Sequence, residues 1–547
     1  MSEPRLVVVV SPHQNAFFPE VVEVLVDELV AASVAVVVTT EPGRHDVEAD
    51  DVFVVVPPHE YVALAGSAFV DDPSVAARTI GISAEQPHQH FFDRNAELGA
   101  RLGAVLDFSP LAVEAYRRAG VAARALPFGY APRWDRYEPG PARPGSPRVL
   151  YLGNKRPRRL RFLAGAADSL ARHRAHLLVS DNDVPNRTTG PSFVAGEDKR
   201  DLLVATRLLV NIHQGDDPYF EWLRFAEAAH CGTPVLSEAS SHTAPFVAGT
   251  DFAEFAGDEL GPTLDRLIDD DDRLADLAES AYRTLRQHPL SAAVDVIVAT
   301  ARTLLAAPPP PAFPARTRAE PIGADRAVPP STGGALDDGT RHRARRRRAR
   351  ITVVGSEPDA LCAELASRFD ERDVVVVDPG VLDERRARRL HDGLVVVAPA
   401  GCRPRPDAFW HLLERAGAFD DRREGVPWTA VLDGRDADGE PTLEGVWPWE
   451  PWRLTAGQHL GRLVVTPSSI VRSAADWFDE EFRGHPHVAI QGWVAAHGGV
   501  GRHLPTPVAH VTGAPLDPAH RLPTSVADHL RHRLLGRGSA GTSRLGG

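Results

Sequence analysis

Cysteine is nearly absent. Cys231, Cys362 and Cys402 are scattered over 547 residues. They form neither a disulfide framework nor a metal-ligand spacing, so a reducing, cytoplasmic setting is expected. Long hydrophobic runs are missing too. None approaches the roughly 18 residues of a spanning helix, and Met1-Ser-Glu-Pro leads into a strand pattern instead of a signal peptide. There is no repeat of solenoid length. Lysine occurs only twice, at Lys155 and Lys199, in a chain with 61 basic residues. A coding bias toward arginine would produce that scarcity. The two survivors then reflect either chance or selection for a compact ammonium beside phosphate. Positive charge is not in excess, since the net charge of −13 argues against general nucleic-acid binding.

The remaining composition, 43% hydrophobic and 25% charged, is that of an ordinary globular protein, and the length calls for three or four domains. The β-branched runs at 5–10, 34–39 and 51–56 suit strands buried on both faces of a parallel sheet, with a helical pattern over 19–32 between the first two. In such βαβ units ligands lie beyond the carboxyl ends of the strands, which directs His13 and Glu60 toward a crevice. A further strand pattern begins at Thr79 and ends in Glu85, Gln86, His88 and His90, groups able to bind an acceptor hydroxyl. Two histidines at i and i+2 make a poor zinc pair, and no metal site is expected.

A second half opens with the strand pattern 148–154, ending in Gly153-Asn154. It continues as Lys155-Arg156-Pro157-Arg158-Arg159-Leu160-Arg161. Cations at a strand-to-helix turn suit a diphosphate, although a solvated basic helix face would have the same sequence. Lys199 opens a later helix.

The chain centres on Tyr219 to Glu238, Tyr-Phe-Glu-Trp-Leu-Arg-Phe-Ala-Glu-Ala-Ala-His-Cys-Gly-Thr-Pro-Val-Leu-Ser-Glu. This pattern predicts a polar loop, a short helix whose alanines pack close to a sheet, and a Gly-Thr-Pro break into a buried strand. Glu221, Arg224 and Glu227 fall near the helix start; 224 and 227 share a face. The form Arg-Phe-Ala-Glu-Ala-Ala-x-Cys-Gly resembles the donor-binding signature of GT-B glycosyltransferases, in the branch whose motif runs Arg-x-x-Glu-Ala.

That resemblance covers about 5–305. It implies two Rossmann-like domains: an acceptor-side domain over 1–140 and a donor-side domain over 141–305. It also implies a nucleotide-sugar donor, no cofactor and no required metal. Glu227 is the position expected to grip the ribose. The first glutamate of the family signature, which meets the transferred sugar, would fall on Tyr219, so Glu221 replaces it only with a two-residue shift; Glu227 matches the second. The expected donor site comprises Gly153, Asn154, Lys155, Arg156, Arg158, Lys199, Arg224 and Glu227, with Lys155 also supporting the leaving group. Bases for the acceptor hydroxyl are His13, Glu85 or His88. A nonenzymatic scaffold, or an epimerase or phosphorylase of the same fold, are the alternatives.

Residues 306–349 read as a Pro- and Arg-rich linker, able either to touch anionic lipid or to lie idle. Residues 350–513 faintly resemble a degenerate GT-A module. Val397-Ala-Pro-Ala stands where metal-binding aspartates belong, while Asp436-x-Asp438 lies in a turn-like setting. The aromatic stretch 447–452 either stacks on sugars or pins a loop. From 514 onward a polar tail is expected. The acceptor, whether carbohydrate, lipid-linked or protein, is open.

Overall fold

The computed structural model describes residues 3–40, 48–87, 89–140, 147–181, 185–190, 192–307, 350–367, 369, 374–418, 426–446, 449–450, 452–456, 458–497, 499, 501–512 and 515–535. Three α/β sheets follow one another along them.

The first sheet is wholly parallel. It contains β1 (Arg5–Val9), β2 (Val36–Thr39), β3 (Asp51–Val55), β4 (Thr79–Ser83), β5 (Ala104–Asp107) and β6 (Ala123–Ala125), in the order 2-1-3-4-5-6. The second repeats this plan with β7 (Val149–Asn154), β8 (His176–Ser180), β9 (Leu208–Asn211), β10 (Val235–Glu238) and β11 (Ala253–Phe255), in the order 11-10-9-7-8. Read from β8, that is again 2-1-3-4-5. Each sheet therefore reverses direction beside its first strand, which opens a crevice at the carboxyl ends. The strands β1, β3, β7, β9 and β10, with the edge strand β8, are buried over nearly their whole length, as expected of β-branched and leucine-rich runs covered by helices on both faces. Two such lobes with their crevices facing constitute the GT-B arrangement.

The helix Ser291–Ala306 departs from the sequence-based boundary. It returns to the first lobe, where Val294, Ile297 and Ala301 join the core of the helix Phe17–Ala31 and β3. The two chain crossings lie side by side: Tyr130 N–H donates to His288 O at 2.8 Å, and Leu290 N–H to Tyr130 O at 2.9 Å.

The third sheet is mixed. Its strands are β12 (Arg350–Val354), β13 (Val374–Val377), β14 (Gly393–Val397), β15 (Cys402–Pro404), β16 (Trp428–Arg435), β17 (Pro441–Glu444), β18 (Val464–Pro467) and β19 (Arg502–Val511). Their order is 13-12-14-18-16-19-15, with β17 beside β16. Asp436 and Asp438 sit in the β16–β17 turn, where Asp436 Oδ1 accepts from the backbone of Asp438 and Glu440 at 3.0 Å each. Trp449 is buried against Gly501, where a Cβ would have no room. This is a pin rather than a sugar platform; residues 447, 448 and 451 lie outside the described set, as does the linker over 308–349. The expected polar tail is corrected: Thr524–Leu535 is a helix, with Val526 and Leu530 packed into the core of the third domain and Ala527 buried beside them. Its apolar residues at i, i+1 and i+4 suffice to seat a helix that is otherwise polar. No described helix is long and apolar enough to cross a membrane.

Candidate functional site

The carboxyl ends of the first two sheets enclose a cleft of about 270 Å³. The first lobe lines it with Asn15, Phe17 and Phe18 beyond β1, and with Glu85 and Gln86 beyond β4. The second lobe contributes Gly153 and Asn154 from the end of β7, Ser180 from β8, Lys199, and the face Glu221 to Glu227.

The helix Trp222–His230 is positioned by its small residues. Ala226, Ala228 and Ala229 are buried against the sheet, and Gly232 leaves the helix at φ +66°, where its missing side chain makes room for Tyr137. Glu221 occupies the residue before the first turn. Its carboxylate collects Arg159 at 2.8 Å, Arg224 at 3.3 Å and, across the cleft, the amide of Gln86 at 2.8 Å. Burial alone would raise its pKa, but Arg224 and Arg159 outweigh that and hold it below the ordinary carboxylate range. Arg159 is itself buried and also donates to Asn154 Oδ1 at 2.8 Å and Ile212 O at 3.0 Å. Arg224 donates to Asn211 Oδ1 at 2.6 Å.

One helical turn on, Glu227 is 4% exposed and meets Lys199 Nζ at 2.9 Å and Arg200 at 3.5 Å. The same ammonium reaches Glu20 of the first lobe at 2.7 Å, and Glu20 also accepts from Gly196 N–H at 2.6 Å. Two acids and two cations thus close a buried quartet between the lobes. Burial would lower the Lys199 pKa, yet the charges of Glu227 and Glu20 keep it raised; for Glu227 burial dominates and pushes its pKa up. Glu227 Oε1 makes no hydrogen bond within the described residues. That oxygen lies 3.5 Å from the Arg200 guanidinium, so its pairing there is electrostatic and not a hydrogen bond.

The opposite wall is a row of carboxyl groups. Burial, reinforced by Glu60 and Glu221, pushes Glu85 up to about 7. Glu60 is also raised by burial, while accepting the Asn15 N–H, and Asp107 behind them is raised well above the ordinary value. His59 stands 3.8 Å from Glu85 but is pushed down to about 4 by burial, so no imidazolium neutralises that acid.

Of the residues expected from sequence, the cleft gathers Glu85, Gly153, Asn154, Lys199, Glu221, Arg224 and Glu227. Others lie off it. Lys155 pairs with Asp181 at 2.8 Å just behind the lining. Arg158 turns away to Glu238 and Asp216 and stacks over Phe162 at 4.8 Å. His13 contacts Arg187 at 3.1 Å. Arg156 is exposed yet close enough to Glu85 to favour its charged form. His88 lies outside the described residues. Sequence reasoning missed Arg159, Glu20 and Arg200. A signal existed for two of them: Arg159 lies four residues before buried Leu163, and Arg200 three before buried Leu203, on the inward helix faces.

Residues 157–299 match the family model described as glycosyl transferase-like. No curated protein sequence matches the chain. Among solved structures, HepE of Anabaena in complex with UDP-glucose is 13% identical, with 55% of this chain and 99% of that chain covered and a TM-score of 0.38. AviGT4, a glycosyltransferase involved in avilamycin A biosynthesis, is 16% identical over 55% and 98%, at 0.37. Sucrose-phosphate synthase from Thermosynechococcus elongatus is 14% identical over 56% and 100%, also at 0.37.

Proposed function

With a glycosyl transferase-like segment at 157–299 as the premise, we propose that this protein moves a sugar from a nucleotide-sugar donor to an acceptor hydroxyl in the cleft. The observation that carries the reading is Glu227, buried on the cleft wall beside Lys199 with one carboxylate oxygen lacking a hydrogen-bond donor. A ribose offers two adjacent hydroxyls to such a group, each bond charge-assisted.

In this reading the diphosphate lies at the start of the helix Pro157–Gly165, where unpaired backbone N–H groups and the helix dipole favour an anion. Arg156 adds charge from the exposed side, and Arg159 and Arg224 add it from below. These fixed cations oppose the negative charge that grows on the leaving group as the sugar–phosphate bond breaks, in a site with little water to reorganise. Glu85 faces them. A carboxyl titrating near 7 is well matched to take a proton from an acceptor hydroxyl at neutral pH. Guanidinium and ammonium groups are assigned the charge stabilisation, so chelators should leave the rate unchanged.

Calorimetry against nucleoside diphosphates and nucleotide sugars tests the proposal. Binding of a diphosphate by the wild type, weakened at least tenfold in Glu227→Gln, supports it. A wild type that binds none is a scaffold, and the transferase reading falls.

A further inference from the structure

The third domain does not hang from the other two. It packs along the helix Pro157–Gly165 and the edge strand β8. Leu443 and Val446 share a core with Leu160 and Leu163, and Thr506 Oγ1 donates to Ala175 O at 2.6 Å. The helix that presents Arg159 to the cleft is thus held between its own sheet and β17.

One polar contact reaches the ends of β7 and β8, just behind the cleft lining. Arg453 of the third domain is 1% exposed, yet its guanidinium is turned outward from that domain. It donates to Glu450 at 2.6 Å and to Asp181 at 3.3 Å. Asp181 immediately follows Ser180, which lines the cleft, and it holds Lys155 at 2.8 Å. Lys155 in turn follows Gly153 and Asn154, and its backbone N–H donates to Ser180 O at 3.1 Å. The ends of β7 and β8 are therefore tied to one buried charge supplied from another domain. A fully buried guanidinium is costly to desolvate, and it is tolerated only where geometry returns that cost through well-placed carboxylates. Here one of the two lies across a domain boundary.

We propose that the third domain is a working part of the donor side of the cleft, and that Arg453 is a positioning residue that fixes Asp181, and through it Lys155 and the Gly153-Asn154 end of β7, beside the helix start where a diphosphate would rest. Arg453 touches no substrate. It acts through the carboxylate that orients Lys155. This deepens the nucleotide-sugar reading and rests on it for the identity of the ligand.

Three full-length variants test it: Arg453→Met, Arg453→Lys, and Asp168→Ala. The last removes the 2.7 Å pair with Arg405 on the same domain interface but beyond the cleft. Two measurements are made on each, backbone hydrogen exchange over 149–163 and calorimetric titration with uridine, guanosine and adenosine diphosphates. Arg453→Met should speed exchange at 153–158 by tenfold or more and weaken the preferred diphosphate by a similar factor. Arg453→Lys should recover part of both, and Asp168→Ala should change neither. Unchanged exchange and affinity in Arg453→Met overturn the proposal, as do equal losses in Asp168→Ala, which would mark general loosening of the interface. If the wild type binds no nucleoside diphosphate, the nucleotide reading fails. The exchange data alone then decide whether Arg453 positions the end of β7.

Discussion

The two walls of the cleft carry the same residue type under opposite electrostatic terms. On the second lobe, Glu221 is matched by guanidinium groups and stays charged, whereas Glu227, beside Lys199, is raised by burial. On the first lobe, Glu60, Glu85 and Asp107 have burial without a matching cation, and their pKa values rise. Carboxyl groups beyond the carboxyl ends of parallel strands thus divide into one held charged by guanidinium groups and others whose pKa burial raises. What decides between them is which arginines reach them: Arg159 and Arg224 pair with Glu221, whereas Arg94, on the helix that follows Glu85, pairs with Glu97 at 2.9 Å. A transfer reaction needs that asymmetry, with charge held firmly on one side and a mobile proton on the other.

The quartet between the walls gives the largest expected effect. Lys199→Met strands Glu20 and Glu227 as buried acids, at a cost of about 3–5 kcal/mol, to be read from chemical denaturation at pH 7. A loss below 1 kcal/mol would show that the quartet is hydrated. Next, Glu85→Gln should lower kcat by about 10²–10⁴ and remove the acidic limb near pH 7 from its pH profile; a variant retaining that limb assigns the base elsewhere. The same substitution has a stability signature. A carboxyl whose folded pKa is raised to about 7 contributes stability below its unfolded value near 4.5, and this is lost as pH rises through 7. Glu85→Gln should therefore be the more stable protein at pH 8, by on the order of 2 kcal/mol, and gain nothing at pH 4. Thermal melts at the two pH values decide this.

The third domain sharpens the comparison from outside. Burial pushes His459, His503 and His520 down to about 3. A depressed imidazole is neutral in the fold and protonated in the unfolded chain below about 6.5, so stability present above that pH drains away as pH falls toward 3. Acid melting should begin in this domain, with ligand affinity falling together with the change in tryptophan emission; affinity that outlasts that change would contradict the coupling. The smallest effect is expected of His13→Ala, which removes a side chain off the cleft and should alter kcat/KM less than about twofold, within the range of neutral surface changes.

Much of the two-lobed fold was legible because its strands are unbroken apolar runs such as Leu-Val-Val-Val and because helices start at Pro110 and Pro157. The third domain was harder. β19 carries Pro505 and Pro507 and faces β16 across two register shifts, a pattern that reads as loop until its partner is known. At the site, the helix with Glu221, Arg224 and Glu227 was found from its own spacing. Which cation serves which acid was not, because those choices are made over long separations: Glu20 meets Lys199 across 179 positions and Arg159 meets Glu221 across 62. Five charges between 155 and 161 look alike on paper. Only the helix's inward face separates Arg159 from Arg158.

The paired crossings at Tyr130 and His288–Leu290 have a mechanical consequence. Because both connections run through one spot, the lobes are joined at a single pivot, and any opening becomes a swing about it with little freedom to slide. Material near the pivot barely shifts, whereas bonds farther out, such as that between Gln86 and Glu221, must break and re-form with every swing. Substrate entry would then be felt first as lost cross-lobe hydrogen bonds, while the backbone at Tyr130 stays still.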